Sequence, residues 1–352
     1  MTKKINQKIK IGISIGDLNG IGAEIILKAL ADNRICEICT PIIFASKKWC
    51  TYFTNSLNIT DFNYNLTEDL EKLKSSQVNV LAVWEKEAEV KEGEESEISG
   101  SFAHKSLEAA GKALKENSID ALVTAPINKK AIQSADFDFP GHTEYLQQLD
   151  GAEDSLMLMI SDYSKIGVVT GHIPLKKVPE QLNSEIILKK ISLLNKSLKE
   201  DFNIRKPTIA VLGLNPHAGD NGLLGSEEKD IILPAIQQAK SIETLAFGPY
   251  AADGFFSGSN YKNFDGVLAM YHDQGLIPAK MFSVGQGVNY TAGLSFVRTS
   301  PDHGTAFDIA GKGIANETSF RNAIYSAIDI VKNRRDLADM QKDMLVVNKT
   351  RN

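Results

Sequence analysis

Apolar residues come in short runs broken by polar and glycine-rich stretches, and the runs alternate between two periods. "IKIGISI" (Ile9–Ile15) reads as a buried strand, "GDLNGIGAE" (Gly16–Glu24) as a glycine loop, and "AEIILKAL" (Ala23–Leu30) as a helix. "PIIFA" (Pro41–Ala45), "VNVLAV" (Val78–Val83) and "DALVTA" (Asp120–Ala125) predict further short strands. Between the last two, Ala103, Leu107, Ala110 and Leu114 recur at helical spacing, and the acidic run Glu85–Glu97 reads as a solvated loop. Beyond Gly141 come "SLMLMI" (Ser155–Ile160) and "KIGVVT" (Lys165–Thr170), then a helical stretch Ser184–Leu198. "PTIAVLGL" (Pro207–Leu214), a helix near Glu227–Lys240 and "DGVLAM" (Asp265–Met270) follow, and Phe320, Ile324, Ala327 and Val331 share one face of a final helix. The pattern is α/β throughout, a mostly parallel sheet covered by helices, with room for a domain break near 135–150.

Composition narrows the classes. The chain has 352 residues, is 43% hydrophobic and 24% charged, and carries a net charge of −5, ample for a large core and too acidic to gather nucleic acid. The basic start "MTKKINQKIK" lacks the apolar core of a signal peptide, and no run approaches the roughly 20 apolar residues of a membrane helix, so a cytoplasmic enzyme is expected. Cys36, Cys39 and Cys50 are an odd set suited to a reducing compartment. The Cys36/Cys39 pair has no second pair to complete a four-ligand zinc site, and ordinary cysteines near a helix end are expected.

The chemistry gathers in loops. Of six histidines, His104 flanks the apolar stripe of a helix, whereas His142, His172, His217, His272 and His303 sit in loop-like contexts. His172, His217 and His272 each follow a predicted strand, and strand ends of one kind line the ligand crevice of an open α/β sheet. Each could merely cap its strand. Three in the same context favour a catalytic site for zinc or another divalent ion that accepts nitrogen ligands. Lys280, Asn289 and Arg298 follow, and cations beside a metal site suit an anionic substrate. Finally "PDHGTAFDIAGKGIAN" (Pro301–Asn316) is a glycine-rich loop, with Asp308 and Asn316, that a ligand could approach closely.

"DHGTAFDIAGKGIAN" and "GDLNGIGAE" resemble the cofactor loop and N-terminal glycine loop of the isocitrate/isopropylmalate dehydrogenase superfamily. "GHTEYL", "TGHIPL", "GLNPHAG", "MYHDQGLIPAK" and "GVNYTAGLSFVRTSPDHGTA" together resemble the 4-hydroxythreonine-4-phosphate dehydrogenase family of pyridoxal phosphate biosynthesis, from about Ile11 to the final helices. The resemblance implies an isopropylmalate-dehydrogenase-like, three-layer α/β/α fold. Two domains would share a central sheet with a cleft between them: 1–140 with 275–352 on the cofactor side, and 141–274 for metal and dimer interface. It implies a homodimer that oxidises a small phosphorylated amino acid with NAD and one divalent metal per site, zinc first, with magnesium, manganese or cobalt as alternatives. His172, His217 and His272 would be the metal ligands, one of them from the partner subunit. His142, Thr143, Lys280, Asn289 and Arg298 would contact substrate, with Lys280 and Asp253 as catalytic candidates. NAD would lie against Gly304, Thr305, Ala306, Asp308 and Asn316. The G-x-x-x-G-x-G spacing of "GDLNGIG" is not the dinucleotide fingerprint, so this loop is expected only to border the cleft.

Two departures touch selectivity. Ala125 and Asn128 stand where many relatives carry glycine and histidine, and Gly254 where threonine is common. Rival readings are a paralogous dehydrogenase of erythronate or threonate 4-phosphate, one acting on aromatic cis-dihydrodiols, a metal-dependent lyase or hydrolase without NAD, and phosphoacyl transfer.

Overall fold

The structure is a computed structural model, and it describes residues 8–85, 89–133 and 137–342. The first seven residues of the basic N-terminus, and part of the acidic run (86–88), lie outside the described residues.

Twelve strands form one sheet: β1 (Ile9–Ser14), β2 (Cys39–Ala45), β3 (Tyr64–Thr67), β4 (Val78–Ala82), β5 (Ala121–Thr124), β6 (Leu156–Ile160), β7 (Lys165–Thr170), β8 (Thr208–Leu212), β9 (Leu245–Tyr250), β10 (Gly266–Tyr271), β11 (Val288–Ala292) and β12 (Val297–Pro301). Their order is β3-β4-β2-β1-β5-β12-β11-β6-β7-β10-β8-β9. The outer ladders are parallel. The three central ones, β12/β11, β11/β6 and β6/β7, are antiparallel. The sheet is therefore mostly parallel, as expected, with its antiparallel ladders gathered at the centre. β11 and β12 escape the apolar-run criterion, because polar residues alternate through them for a reason the site supplies.

Helices cover both faces. Pleat alternation sends Ala121 and Val123 into the core shared with Phe320, Ile324 and Ala327 of helix Thr318–Lys342. Leu122 points the other way, into the core shared with Leu107, Ala110 and Leu114 of helix Glu97–Lys115. Local signals set the element ends: Asn183 caps helix Ser184–Glu200 by accepting from Ile186 N–H, and Gly151 ends helix His142–Asp150 at φ 76°. Among the described residues, no helix is long and apolar enough to cross a membrane.

All three cysteines are free and buried. Burial pushes the Cys39 and Cys50 thiols up to about 12, the state of inert core cysteines.

The glycine loop is structural. Gly16 sits at φ 69° where a Cβ would lie 2.3 Å from the Pro126 carbonyl oxygen, so no other residue fits the turn. Ile21 N–H donates to Thr305 O at 3.0 Å, and a Cβ on Gly20 would meet the same carbonyl at 2.9 Å. Helix Gly22–Leu30 then grips the far end of the C-terminal loop: Lys28 Nζ donates to Gly313 O and Ala315 O, and Glu24 accepts from Ala315 N–H. Thus the N-terminal loop is a bed for the 303–316 loop.

Candidate active site

A cavity of about 410 Å³ opens over the antiparallel centre of the sheet. Its floor follows from register. Arg298 pairs with Leu122, Ser300 with Asn289, Asn289 with Met159 and Thr291 with Met157, and paired residues share a face. That face is the one covered elsewhere by Glu97–Lys115 and by helix His272–Ser283. Between those helices the cover is interrupted, so Asn289, Arg298 and Ser300 face the opening. The polar alternation of β11 and β12 is the floor of a site.

The walls come from strand ends and helix starts. Thr124 ends β5 and Ala125, Pro126, Ile127 and Lys129 come after it, His142 to Glu144 open helix His142–Asp150, and His172 follows β7. His272, Leu276 and Lys280 belong to helix His272–Ser283, and Pro301 to Gly304 leave β12.

Positive charge is in surplus here, with Lys129, Lys190, Lys280 and Arg298 against Glu144 and Asp302 in the lining. Arg298 is 2% exposed, and among the described residues its guanidinium donates to hydroxyls alone: Nη2 to Thr124 Oγ1 at 2.7 Å and Nη1 to Thr291 Oγ1 at 3.1 Å. Burial lowers its pKa to about 10, with a smaller contribution from the Glu144 charge in the opposite sense. Lys190 is neutralised by Asp154 at 2.6 Å, but Lys129 and Lys280 have no ion-pair partner among the described residues. Burial first, then the charges of Arg298 and Lys129, hold the His142 imidazole well below its ordinary pKa. His142 Nε2, Asn289 Oδ1 and His303 Nε2 are buried polar atoms without a protein partner, and all three residues line this cavity. Such groups are satisfied by a polar ligand.

At the mouth, the His172 and His272 rings lie 5.1 Å apart, centroid to centroid. His272 Nδ1 is 2.7 Å from Asp273 Oδ1, so an Nδ1–H tautomer leaves Nε2 free as a metal donor, oriented by a carboxylate. Burial, Lys129 and His272 all lower the His172 pKa and favour the neutral, metal-competent form. The pair fits a divalent ion. Within one chain it is only a pair: among the described residues no group of three metal-binding side chains occurs.

The structure brings together His142, Thr143, His172, His272, Lys280, Asn289, Arg298 and Gly304 as lining residues. His217 and Asp253 do not line the cavity of their own chain; both are exposed, His217 on the turn Pro216–Gly222 after β8 and Asp253 on helix Ala252–Ser257 after β9. His217 stands at φ 53°, and Ala218, Gly219, Asp220 and Asn221 continue left-handed. Each non-glycine residue there costs about 1–2 kcal/mol. Thr305, Ala306, Asp308 and Asn316 lie along the loop beyond Gly304, outside the cavity lining. Asn316 Oδ1 accepts from Thr318 N–H at 2.8 Å, at the start of the last helix. Sequence reasoning left Lys129 and Thr124 without a role. The available signal was position, since both stand at the end of β5 or just after it, as the histidines do after their strands.

A sheet-face cavity lined by more cationic than acidic side chains, with an imidazole pair beside it, has the groups of an enzyme site for a small anionic molecule. Residues 37–327 match the family of the pyridoxal phosphate biosynthetic protein PdxA, and the chain belongs to that family. It is 47% identical over 329 residues to the 4-hydroxythreonine-4-phosphate dehydrogenase of Bacteroides thetaiotaomicron, covering 93% of this chain and 90% of that protein. The crystal structure of 4-hydroxythreonine-4-phosphate dehydrogenase from Klebsiella pneumoniae superimposes with a TM-score of 0.80 at 34% identity, over 92% of this chain and 100% of that one. Isocitrate dehydrogenase from Methylococcus capsulatus shares the fold alone, at a TM-score of 0.53 and 13% identity over 95% of this chain and 89% of that one. The isopropylmalate-dehydrogenase-like α/β architecture expected from the loops is the one observed.

Proposed function

We propose that this protein oxidises 4-phosphooxy-L-threonine at C3 with NAD and a divalent metal, zinc first among the candidates, and releases carbon dioxide to give 3-amino-2-oxopropyl phosphate. The observation that carries this reading is the buried Arg298 on the cavity floor, a cation with no carboxylate hydrogen-bonded to it among the described residues. A phosphorylated acid supplies the missing anions. Arg298, Lys280, Thr143 and Asn289 would bind and orient it, and His142, held neutral, can donate to or accept from it according to tautomer. His172 and His272 would hold the metal, with His217 the third ligand, delivered by a second copy of the chain. Exposed Ile277, Met281 and Val284, on or just after the helix bearing Lys280, offer that copy an apolar surface. When bound, the metal polarises the substrate hydroxyl and the later carbonyl, and NAD accepts the hydride.

The chain's own groups exclude water, position the substrate and move its proton. Lys280, in the cavity, is the base or a phosphate ligand, and Asp253 would act from the partner side with His217. NAD would lie along Gly304, Thr305, Ala306, Asp308 and Asn316, a loop held in place by Gly20, Ile21 and Lys28. The cofactor-side domain would be 1–140 with 275–352, the metal-side domain 141–274, and the compartment the cytoplasm.

The test is NADH formation from NAD and 4-phosphooxy-L-threonine, with chelator and metal add-back. Chelator-sensitive NADH with carbon dioxide release is expected. Turnover of erythronate or threonate 4-phosphate instead would replace the substrate. Turnover without NAD would place the chain among metal-dependent lyases or hydrolases.

A further inference from the structure

The left-handed turn that carries His217 is clamped from below by one buried carboxylate. Glu228, 5% exposed, opens a π-helical turn (Glu228–Ile232) that leads into helix Leu233–Ser241. Its Oε1 accepts from Leu214 N–H at 2.8 Å and from Asn215 N–H at 2.7 Å, and its Oε2 from Asn215 Nδ2 at 3.1 Å. Those donors are the last residues before Pro216 and His217. From the other side, Gln274 Nε2 donates to Gly213 O at 2.6 Å while Gln274 Oε1 accepts from Met270 N–H. The strand end is thus fixed on both flanks. Beyond it five residues from His217 to Asn221 hold positive φ, four of them not glycine. The turn passes so close over the carboxylate that a Cβ on Gly219 would lie 2.6 Å from Glu228 Oε2. A run of this kind persists only where its surroundings over-determine it, and such strain gathers at functional sites.

We propose that Glu228 is the positioning residue for His217: by gathering the amides of Leu214 and Asn215 and bracing Gly219, it holds the left-handed turn that aims the imidazole. This rests on the reading of His217 as a metal ligand. Glu228 touches neither metal nor substrate. Its effect is on the entropy and direction of a ligand that would otherwise swing on an exposed loop. Outer partners of metal ligands typically contribute 10–100-fold to metal affinity.

The test is a titration of chelator-stripped, full-length protein with Mn²⁺, free ion read by electron paramagnetic resonance, beside NAD binding by fluorescence and thermal unfolding. Glu228→Gln keeps the size but removes the charge and replaces one carboxylate oxygen with a donor, so it cannot accept from the two backbone amides and from Asn215 Nδ2 at once, and Gly219→Ala attacks the same contact from the turn. Both are expected to weaken Mn²⁺ binding about 10–100-fold, approaching His217→Ala, with NAD affinity unchanged. If Glu228→Gln does not fold, Gly219→Ala alone decides. Mn²⁺ affinity within twofold of wild type in the folded variants, while His217→Ala loses it, overturns the role of Glu228 and leaves the reading of His217 standing. Equal losses of Mn²⁺ and NAD affinity also overturn it, since they mark general loosening. Wild-type Mn²⁺ affinity in His217→Ala overturns both.

Discussion

Replacing Arg298 with methionine should change the protein's stability little and leave it far poorer at holding its anionic substrate. The guanidinium is almost wholly buried, and burial lowers its pKa from 12.5 to about 10. At about 1.4 kcal/mol per pKa unit, the folded state holds this charge less favourably than the unfolded chain by about 3 kcal/mol at any pH below about 10. The hydrogen bonds from this charged group to Thr124 and Thr291 return about 1.5 kcal/mol each. Removing the charge and these bonds together therefore leaves stability within about 1 kcal/mol of wild type. Losing one partner of a buried charged contact costs a ligand about 2–5 kcal/mol, roughly 30- to 5,000-fold in affinity. Urea unfolding of the free protein and calorimetric titration with 4-phosphooxy-L-threonine measure the two sides. An Arg298→Met protein that is destabilised by more than about 1 kcal/mol, yet binds the substrate within about threefold of wild type, would refute the view that this charge is held for a ligand.

Three further outcomes follow from the same geometry. The depressed pKa of His142 means that the unfolded chain takes up its proton first as pH falls below 6.5, so stability drops from there down to the folded pKa. His142→Gln should flatten that slope in urea midpoints measured against pH, and an unchanged slope would show that His142 does not carry it. Asp273→Asn removes the carboxylate that orients His272 and should weaken divalent-ion binding about 10-fold, read by titration of the stripped protein; wild-type affinity would argue against that tautomer. Away from the site, Tyr290 donates to Asp201 Oδ2 at 2.6 Å, and Arg334 Nε donates to Asp201 Oδ1. Tyr290→Phe should cost about 1.5–3 kcal/mol of stability in urea unfolding with substrate affinity unchanged, because that side chain points away from the cavity floor.

Much of this was written locally. Apolar runs of four to seven residues marked most strands, and helical spacing marked the helices Glu97–Lys115 and Thr318–Lys342, since pleat and helix periods are properties of a few neighbouring residues. The same locality put His172, His217 and His272 just past strand ends and exposed the motifs that carry the family resemblance. What failed locally was β3, β9, β11 and β12, the last two for a reason that lies in the site. An alternation such as Asn289-Tyr290-Thr291 is indistinguishable from a surface loop until register shows that its polar side is the floor of a cavity and that Tyr290 is fully buried on the other. Only tertiary structure decided that the buried Arg298 is hydrogen-bonded to hydroxyls, that Lys129 joins the cavity, and that His172 and His272 meet while His217 lies outside the cavity lining. Those facts depend on which strands neighbour one another in a twelve-stranded sheet, across long separations such as the 174 residues between Thr124 and Arg298. Hydrophobic period fixes what a segment is; the burial of charge and the pairing of imidazoles are fixed by what distant segments bring beside it.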